Sequence, residues 1–521
     1  MRYSEVLFMN QALKQDYEVI IIGCGIAGAT AGALLAKAGK KVLVIEQSSQ
    51  VGGRTVSLRG EGIESKSKVN KLLKEAAHTW FTDRCEPSLD EIIARGMLNG
   101  YVLESGARGS WMTNRGCVSY AMQHFNKPSI FYPNVGFVMI EENGKANEII
   151  PGKPLGWMTD EDYQEMLKIE MALRSVKTIT EAEKYDFIDL KSWMEQYTKN
   201  EKALEFQSNR CTYHTVINDP ALNTVGENMK VIQVIQASGT SLVHGGWGFA
   251  GAPGHRFLVE GLVASIEEYG GEIITGAKVE EILIENDVAK GVRVQIGEAE
   301  FIVKSNVVLC TLMPKLIPKL MAQEKLETDF QIAIERTIGA GVITAYMGLK
   351  QPITDFIKET KVDPRSFLWS PVIAKAEEGF RGDVPVVGAN VSSIAPTRAP
   401  EGKHLAVWAA NVLDEEASDP AKVNLIIDRL GEFFDRAFPG WHASLDWITF
   451  GVTETALCWR YPNDPKPDIT CKINGLYFAG DAYGKSVFCG GIEAASYSGM
   501  IAAEKITGKN FRTQILPEIY W

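Results

Sequence analysis

Two kinds of hydrophobic pattern divide the chain. Short, uninterrupted apolar runs, Val19 to Ile22 and Val42 to Ile45, flank a stretch rich in alanine and glycine. Runs of that length bounded by turn residues predict buried strands. The small-residue stretch between them predicts a closely packed helix ending near Ala38. Strand-like segments recur at Glu272 to Thr275, Lys278 to Glu285, Ala289 to Gln295, Glu300 to Lys304 and Asn306 to Cys310. Gly341 to Gly348, Leu405 to Val412 and the strand opening at Gly475 read the same way. Helical spacing dominates Thr159 to Val243, with clear runs at Tyr163 to Leu173 and Asp189 to Tyr197. It returns at Phe257 to Tyr269, near Ala421 to Ala437 and from about Ile492 to Thr507. Residues 61–99 carry charged, amphipathic helical patterning and read as a helical insertion, because Gly100 to Arg108 then resumes a strand and a glycine turn.

The first strand ends in Gly23-Cys-Gly25-Ile-Ala-Gly28, and the second ends in Glu46, 21 positions after Gly25. Strand, glycine turn, helix, strand and acid together form a dinucleotide-binding pattern. Gly23 permits the tight turn, Gly25 lets the backbone approach a pyrophosphate, and Gly28 lets helix and strand touch. The helix N-terminus offers free N–H groups to the phosphates. A carboxylate at position 46 suits the ribose hydroxyls of an unphosphorylated adenosine. Val51-Gly-Gly53-Arg54-Thr55 adds a second glycine turn with a guanidinium placed to reach phosphate oxygens. The uncharged stretch Val19 to Ala36 has the length of a membrane span, but its glycine cluster, flanking strand-like runs and following acid argue against one.

At 521 residues the chain has room for two to four domains and a large cofactor. A net charge of −11, with no basic stripe, argues against nucleic-acid binding. The eight cysteines are scattered without a CxxC pair, so neither a metal centre nor a disulfide framework is expected. No signal peptide is visible, which makes the cytoplasm the default compartment. Met1 to Asn10 allows contact with a membrane surface, a frayed terminus being the commoner outcome.

Four blocks in fixed order resemble the flavoprotein family that joins amine oxidases, phytoene and carotenoid desaturases, retinol saturase-like enzymes and protoporphyrinogen oxidase. They are DYEVIIIGCGIAGATAGALLA with Glu46; VGGRTVS; GGEIITGAKVEEILIENDVAKGV; and GLYFAGDAYGKSVFCGGIEAASYSGMIAAEKI. The resemblance implies an α/β fold: a discontinuous Rossmann-like FAD-binding domain of the glutathione reductase-related kind and a second, α+β substrate domain. The corresponding ranges are 16–110, 250–315 and 450–510 for the first, and 111–249 and 316–449 for the second. Carried over residue by residue, Gly23, Gly25, Ala27 and Gly28 would line the FAD pyrophosphate. Glu46 and Gln47 would meet the adenosine side, and Gly53 and Arg54 the phosphate and ribityl. Val279 would contact adenine, and Gly480 and Asp481 the ribityl–phosphate chain. Ile492 would open the helix facing the pyrimidine edge, and Gly106, Ala107 and Arg108 would pass beside the isoalloxazine ring. No cysteine or histidine lies in a flavin-linkage motif, so noncovalent FAD is expected.

Three functions stay open at this level. The first is hydride transfer between flavin N5 and a carbon of an apolar substrate: desaturation, saturation or isomerisation. The second is an FAD-dependent amine oxidase, but the family's amine oxidases carry an aromatic residue just before the Met/Ile-Glu of the last helix, half of a cage around the amine. Here that place is Gly491, which supplies no cation–π contact. Lys319 points the other way, lying near the position of the amine oxidases' flavin-N5 lysine, although a solvated lysine on a short helix is the plainer reading. The third function is a non-enzymatic prenyl-protein chaperone resembling GDP-dissociation inhibitors. The stretch His244 to Arg256 is the candidate loop at the flavin, and His255 and Tyr483 are the candidate proton carriers. Only one dinucleotide fingerprint is present, so the expected re-oxidant is oxygen, a quinone or another carrier rather than a nicotinamide.

Overall fold

The computed structural model describes residues 16–105, 109–141, 143–237, 247–358, 360–485, 487 and 490–520. A five-stranded parallel sheet gathers segments from across the chain, in the order Glu272–Ile274, Val42–Ile45, Val19–Ile22, Val308–Cys310 and Leu476–Phe478. Val19–Ile22 and Val42–Ile45 are buried along their whole length. A parallel sheet covered on both faces needs apolar residues at successive positions, which is why these strands read as runs rather than alternations. The helix Ile26–Lys37 packs against helices Arg256–Glu268 and Gly491–Thr507 and is buried almost all round. Its contact with the sheet depends on Gly28: a Cβ there would stand 2.1 Å from the Gly23 carbonyl oxygen. An antiparallel three-stranded sheet, Lys278–Glu285, Val288–Ile296 and Ala299–Lys304, adjoins this unit.

An eight-stranded sheet forms the second unit. Its order is Thr79–Glu86, Leu445–Trp459, Ile338–Leu349, His404–Leu413, Val384–Asn390, Phe367–Ala374, Phe137–Ile140 and Ala146–Glu148. All its pairings are antiparallel except that of Phe137–Ile140 with Phe367–Ala374. The apolar side of helix Pro420–Ala437 packs on it, with Phe433, Phe434 and the nearby Phe438 around the fully buried Trp408. Helices Asp160–Leu173, Glu201–Thr215 and Val225–Ala237 form a third cluster.

The structure corrects the sequence reading at residues 61–99. The segment is helical only at Lys66–Ala77 and Leu89–Ala94, and between them Thr79–Glu86 is the edge strand of the eight-stranded sheet. The apolar periodicity of the first helix continues past its end, whereas the helix itself stops at His78, a left-handed C-cap. That strand therefore belongs with the second sheet, not with the nucleotide unit. Helix Cys117–His124 departs in the opposite sense: it lies in the expected substrate range but packs on Gly491–Thr507 and Arg256–Glu268. Strand Leu445–Trp459 crosses the boundary expected at 450, so one strand runs from the second sheet to the nucleotide unit. Among the described residues no helix is long and apolar enough to cross a membrane.

Candidate functional site

A long cleft runs from the parallel sheet towards the second unit, enclosing about 1720 Å³ of atom-free space, part of it open to solvent. Its walls come from the turns after the parallel strands, the first residues of helix Gly491–Thr507, and strand Leu445–Trp459 through Ala456 and Leu457.

At one end Glu46 is buried, and its two carboxylate oxygens accept the Cys24 and Ser48 backbone N–H groups, each at 2.8 Å. Burial raises its pKa, and these N–H groups partly oppose the rise. The carboxylate thus ties the glycine turn to the end of the second strand while still facing the cleft. Gln47 is exposed on the rim and donates to the Glu75 carbonyl at 3.1 Å. Val279 and Ala277 close the same end.

In the middle, Gly23, Gly25, Ala27 and Gly53 bring main chain to the cleft surface, whereas Gly28 is spent on helix–strand contact. Arg54 lines the wall, but its guanidinium pairs bidentately with Asp481, at 2.6 and 3.1 Å. Asp481 also accepts the Cys458 N–H at 3.0 Å. Burial alone would raise the Asp481 pKa; the Arg54 charge, its hydrogen bonds and the Cys458 N–H together outweigh burial and hold the carboxyl low. Of the Gly-Asp pair, Gly480 lines the cleft and Asp481 anchors the arginine behind it.

The far end is built by side chains from dispersed segments: His214, Val216, Trp247, His255, Leu457 and Glu493. Ile492 and Gly491 open the last helix there, and a Cβ on Gly491 would meet no atom of the described residues within 4 Å. The His214 Nδ1 lies 3.0 Å from Asn228 Oδ1, while the Asn228 amide donates to Asn223 Oδ1 and the Thr224 carbonyl. Burial, followed by the Arg210 charge, pushes the His214 pKa down to about 3, so its ring is neutral. Burial likewise pushes the Glu493 carboxyl up to about 8 despite its bond from the Val118 N–H at 3.3 Å. Glu493 is therefore mostly protonated at neutral pH.

Of the three candidate catalytic residues, His255, Tyr483 and Lys319, only His255 lines the cleft. The buried Tyr483 hydroxyl donates to the Leu312 carbonyl at 2.8 Å, and its ring stacks on Phe478 outside the lining. Lys319 is exposed on the short turn Pro314–Lys319. Gly106, Ala107 and Arg108 lie outside the described residues. The sequence reading missed His214, Val216, Leu457 and Glu493 as lining groups, whereas Trp247 falls in the expected loop His244 to Arg256, whose residues 244–246 lie outside the described residues. One signal was available: Asn218, Asn223, Thr224 and Asn228 follow His214 in a segment otherwise patterned as apolar helix.

An elongated dinucleotide suits this cleft. Gly25 leaves open space, the nearest atom to an added Cβ being the Gly52 oxygen at 4.0 Å, and Gly491 opens the other end. A carboxylate stands at one end, main-chain turns at the centre and a helix N-terminus at the far end.

The comparisons agree with this geometry. An all-trans-retinol 13,14-reductase of Danio rerio is 39% identical over 57 residues, 11% of this chain and 9% of that protein, so the match spans less than a tenth of the relative. A solved oxidoreductase from Methanosarcina mazei superposes with a TM-score of 0.66 at 18% identity, over 93% of this chain and 99% of the other. Cyclohexylamine oxidase from Brevibacterium oxydans superposes with a TM-score of 0.63 at 14% identity, over 95% and 99%. The model of the flavin-containing amine oxidoreductases matches residues 26–507, and the chain belongs to that family.

Proposed function

We propose that the protein is an oxidoreductase using noncovalent FAD to transfer hydride between the flavin and a carbon of an apolar substrate, a CH–CH rather than a CH–NH reaction. FAD, when bound, supplies the hydride chemistry. Glu46 would hold the adenosine ribose, the main chain around Gly25 and Gly53 the phosphates, and the N-terminus of the last helix the pyrimidine edge. At the far end Trp247, Val216 and Leu457 would exclude water and orient an apolar body. His255 would carry the proton that accompanies hydride transfer.

One observation carries this reading. Among the described residues lining the far end, the only carboxyl is Glu493, whose pKa near 8 keeps it mostly neutral at pH 7. An ammonium substrate would find no counter-charge there, and Gly491 leaves room for a bulky apolar group. The name of the retinol reductase relative is in keeping with this, over its short match. The external redox partner would be a quinone or other carrier. Amine oxidation is the second reading, favoured by the description of the matching family model.

Anaerobic mixing with a panel of amines, retinoids, carotenoids and enones separates the two. A change in flavin redox state with a polyene or enone, and none with simple amines, is expected. Rapid bleaching by a simple amine, with no response to polyenes or enones, would reverse the assignment. Acid precipitation should leave FAD in the supernatant; protein purified without a flavin spectrum would favour the prenyl-binding alternative.

A further inference from the structure

Behind the wall of the cleft lies a buried charged cluster that the sequence reading did not single out. Glu104, at the end of strand Val102–Glu104, is 3% exposed, and His255 and Arg398 are 2% and 1% exposed. The Glu104 Oε1 accepts from the His255 backbone N–H at 3.0 Å and from Arg398 Nη1 at 2.9 Å. The His255 Nδ1 stands 3.2 Å from the same oxygen. Oε2 accepts from the Ser57 hydroxyl at 2.6 Å. Arg398 is fixed in turn by the Val102 carbonyl at 2.8 Å. Gly254 permits this approach: with φ at +89°, a Cβ there would lie 2.4 Å from the Ser57 Oγ and 2.7 Å from Glu104 Oε1. The other imidazole nitrogen, Nε2, is buried and has no hydrogen-bond partner among the described residues, and His255 lines the cleft.

We propose that Glu104, clamped by Arg398 and Ser57, is a positioning residue: it takes the Nδ1–H of His255 and so presents Nε2 to the cleft as the atom that exchanges a proton with the substrate. An ionised carboxylate can only accept, so the nitrogen facing it must carry hydrogen, and the neutral ring is left with Nε2 as a base. Burial by itself would raise the Glu104 pKa, but the Arg398 charge and the hydrogen bonds that Glu104 accepts from His255 and Ser57 hold the carboxyl below the usual carboxylate range, so it stays ionised near neutral pH. One proton moves, between Nε2 and a substrate atom; an N–H bond forms as the substrate bond to that hydrogen breaks, or the reverse. Glu104 remains a carboxylate in both directions and stabilises the imidazolium. The proposal rests on the oxidoreductase reading for its use, but the tautomer can be measured without any substrate.

The test is nitrogen-15 NMR of histidine-labelled, flavin-loaded protein, with His255→Gln identifying the resonances of this ring. The expected spectrum shows Nδ1 protonated and Nε2 bare in the neutral ring. Glu104→Gln should abolish that single-tautomer signature, and Glu104→Asp should restore it at least in part. Ser57→Ala, which keeps the charge pair, should leave the signature in place and serves as the milder variant should Glu104→Gln fail to fold. Once a reacting substrate is in hand, Glu104→Gln should lower kcat at least tenfold with little change in KM, while flavin content stays constant. A wild-type ring protonated at Nε2, or a Glu104→Gln spectrum unchanged from wild type, would overturn the proposal. Protein that holds no flavin yet shows the Nδ1–H tautomer would count against the oxidoreductase reading alone.

Discussion

The two ends of the cleft are built by different means. The Glu46 end is assembled mainly by main chain within about 30 consecutive residues, a glycine turn, a helix N-terminus and one carboxylate that takes two backbone N–H groups, with Ala277 and Val279 closing it. The His255 end is assembled by side chains from segments hundreds of residues apart, brought together by two sheets and the final helix. The first end recognises groups common to dinucleotides, so little in it needs to vary. The second meets the reacting molecule, and there each side chain's protonation state is set by its neighbours. His214 and His255 make the contrast within that end: burial and the Arg210 charge keep His214 neutral, while the His255 Nδ1 stands against the Glu104 carboxylate. Two histidines of one wall thus have different partners, an amide for one and a carboxylate for the other.

The sharpest way to break the contrast is to remove the proton carrier. His255→Phe should lower turnover about 10²–10⁴-fold, the usual worth of a positioned acid–base group, without loss of flavin. Stopped-flow flavin reduction together with the flavin-to-protein ratio checks both halves. Equal loss of flavin and of turnover would erase the division between the ends.

The buried carboxyls of the far end come next. The folded-state pKa of Glu493 lies near 8, above its unfolded value near 4.5, so the folded state binds the extra proton between those limits. Its linkage therefore makes stability fall as pH rises from about 4.5 to about 8, by up to about 1.4 kcal/mol per unit, and level off beyond. Glu493→Gln should remove that slope in urea unfolding of the flavin-free protein. Glu104 acts in the opposite sense: its folded pKa near 2 gives stability that is present above about 4.5 and lost as pH falls towards 2.

At the other end, Glu46→Gln replaces a charged acceptor of two N–H groups with a neutral one. FAD binding should weaken by about 1.5–3 kcal/mol, read by titration of the apoprotein, while the kinetics of any flavin that remains bound are unchanged. Tyr483→Phe deletes only the bond to the Leu312 carbonyl, so a loss of about 1 kcal/mol in stability and no change in reaction rate are expected. Lys319→Met should be the mildest, within about 0.5 kcal/mol in stability and without effect on flavin reduction, because its side chain is exposed and outside the lining. A large rate loss in Lys319→Met would favour amine oxidation.

What the sequence determined by itself is the nucleotide end. Buried parallel strands must be apolar at successive positions, a backbone passing a pyrophosphate must lack a Cβ, and each demand is written at a fixed spacing from Val19 to Glu46. The positions of the strands at 278–285 and 308–310, and of the helices at 256–268 and 491–507, were legible for the same reason: periodicity is local. Tertiary structure alone decided the rest. Thr79–Glu86 became a strand because the edge of the eight-stranded sheet pairs with it, against the helical pattern that precedes it. Arg54 and Asp481, 427 residues apart, pair with each other, so a carboxylate behind the wall holds the guanidinium that lines the cleft. Tyr483 and His255 read alike as proton carriers, yet one hydroxyl found a backbone carbonyl and one imidazole found Glu104 beside the cleft. Which polar group faces a cavity depends on which partner reaches it first in three dimensions, and no spacing along the chain encodes that.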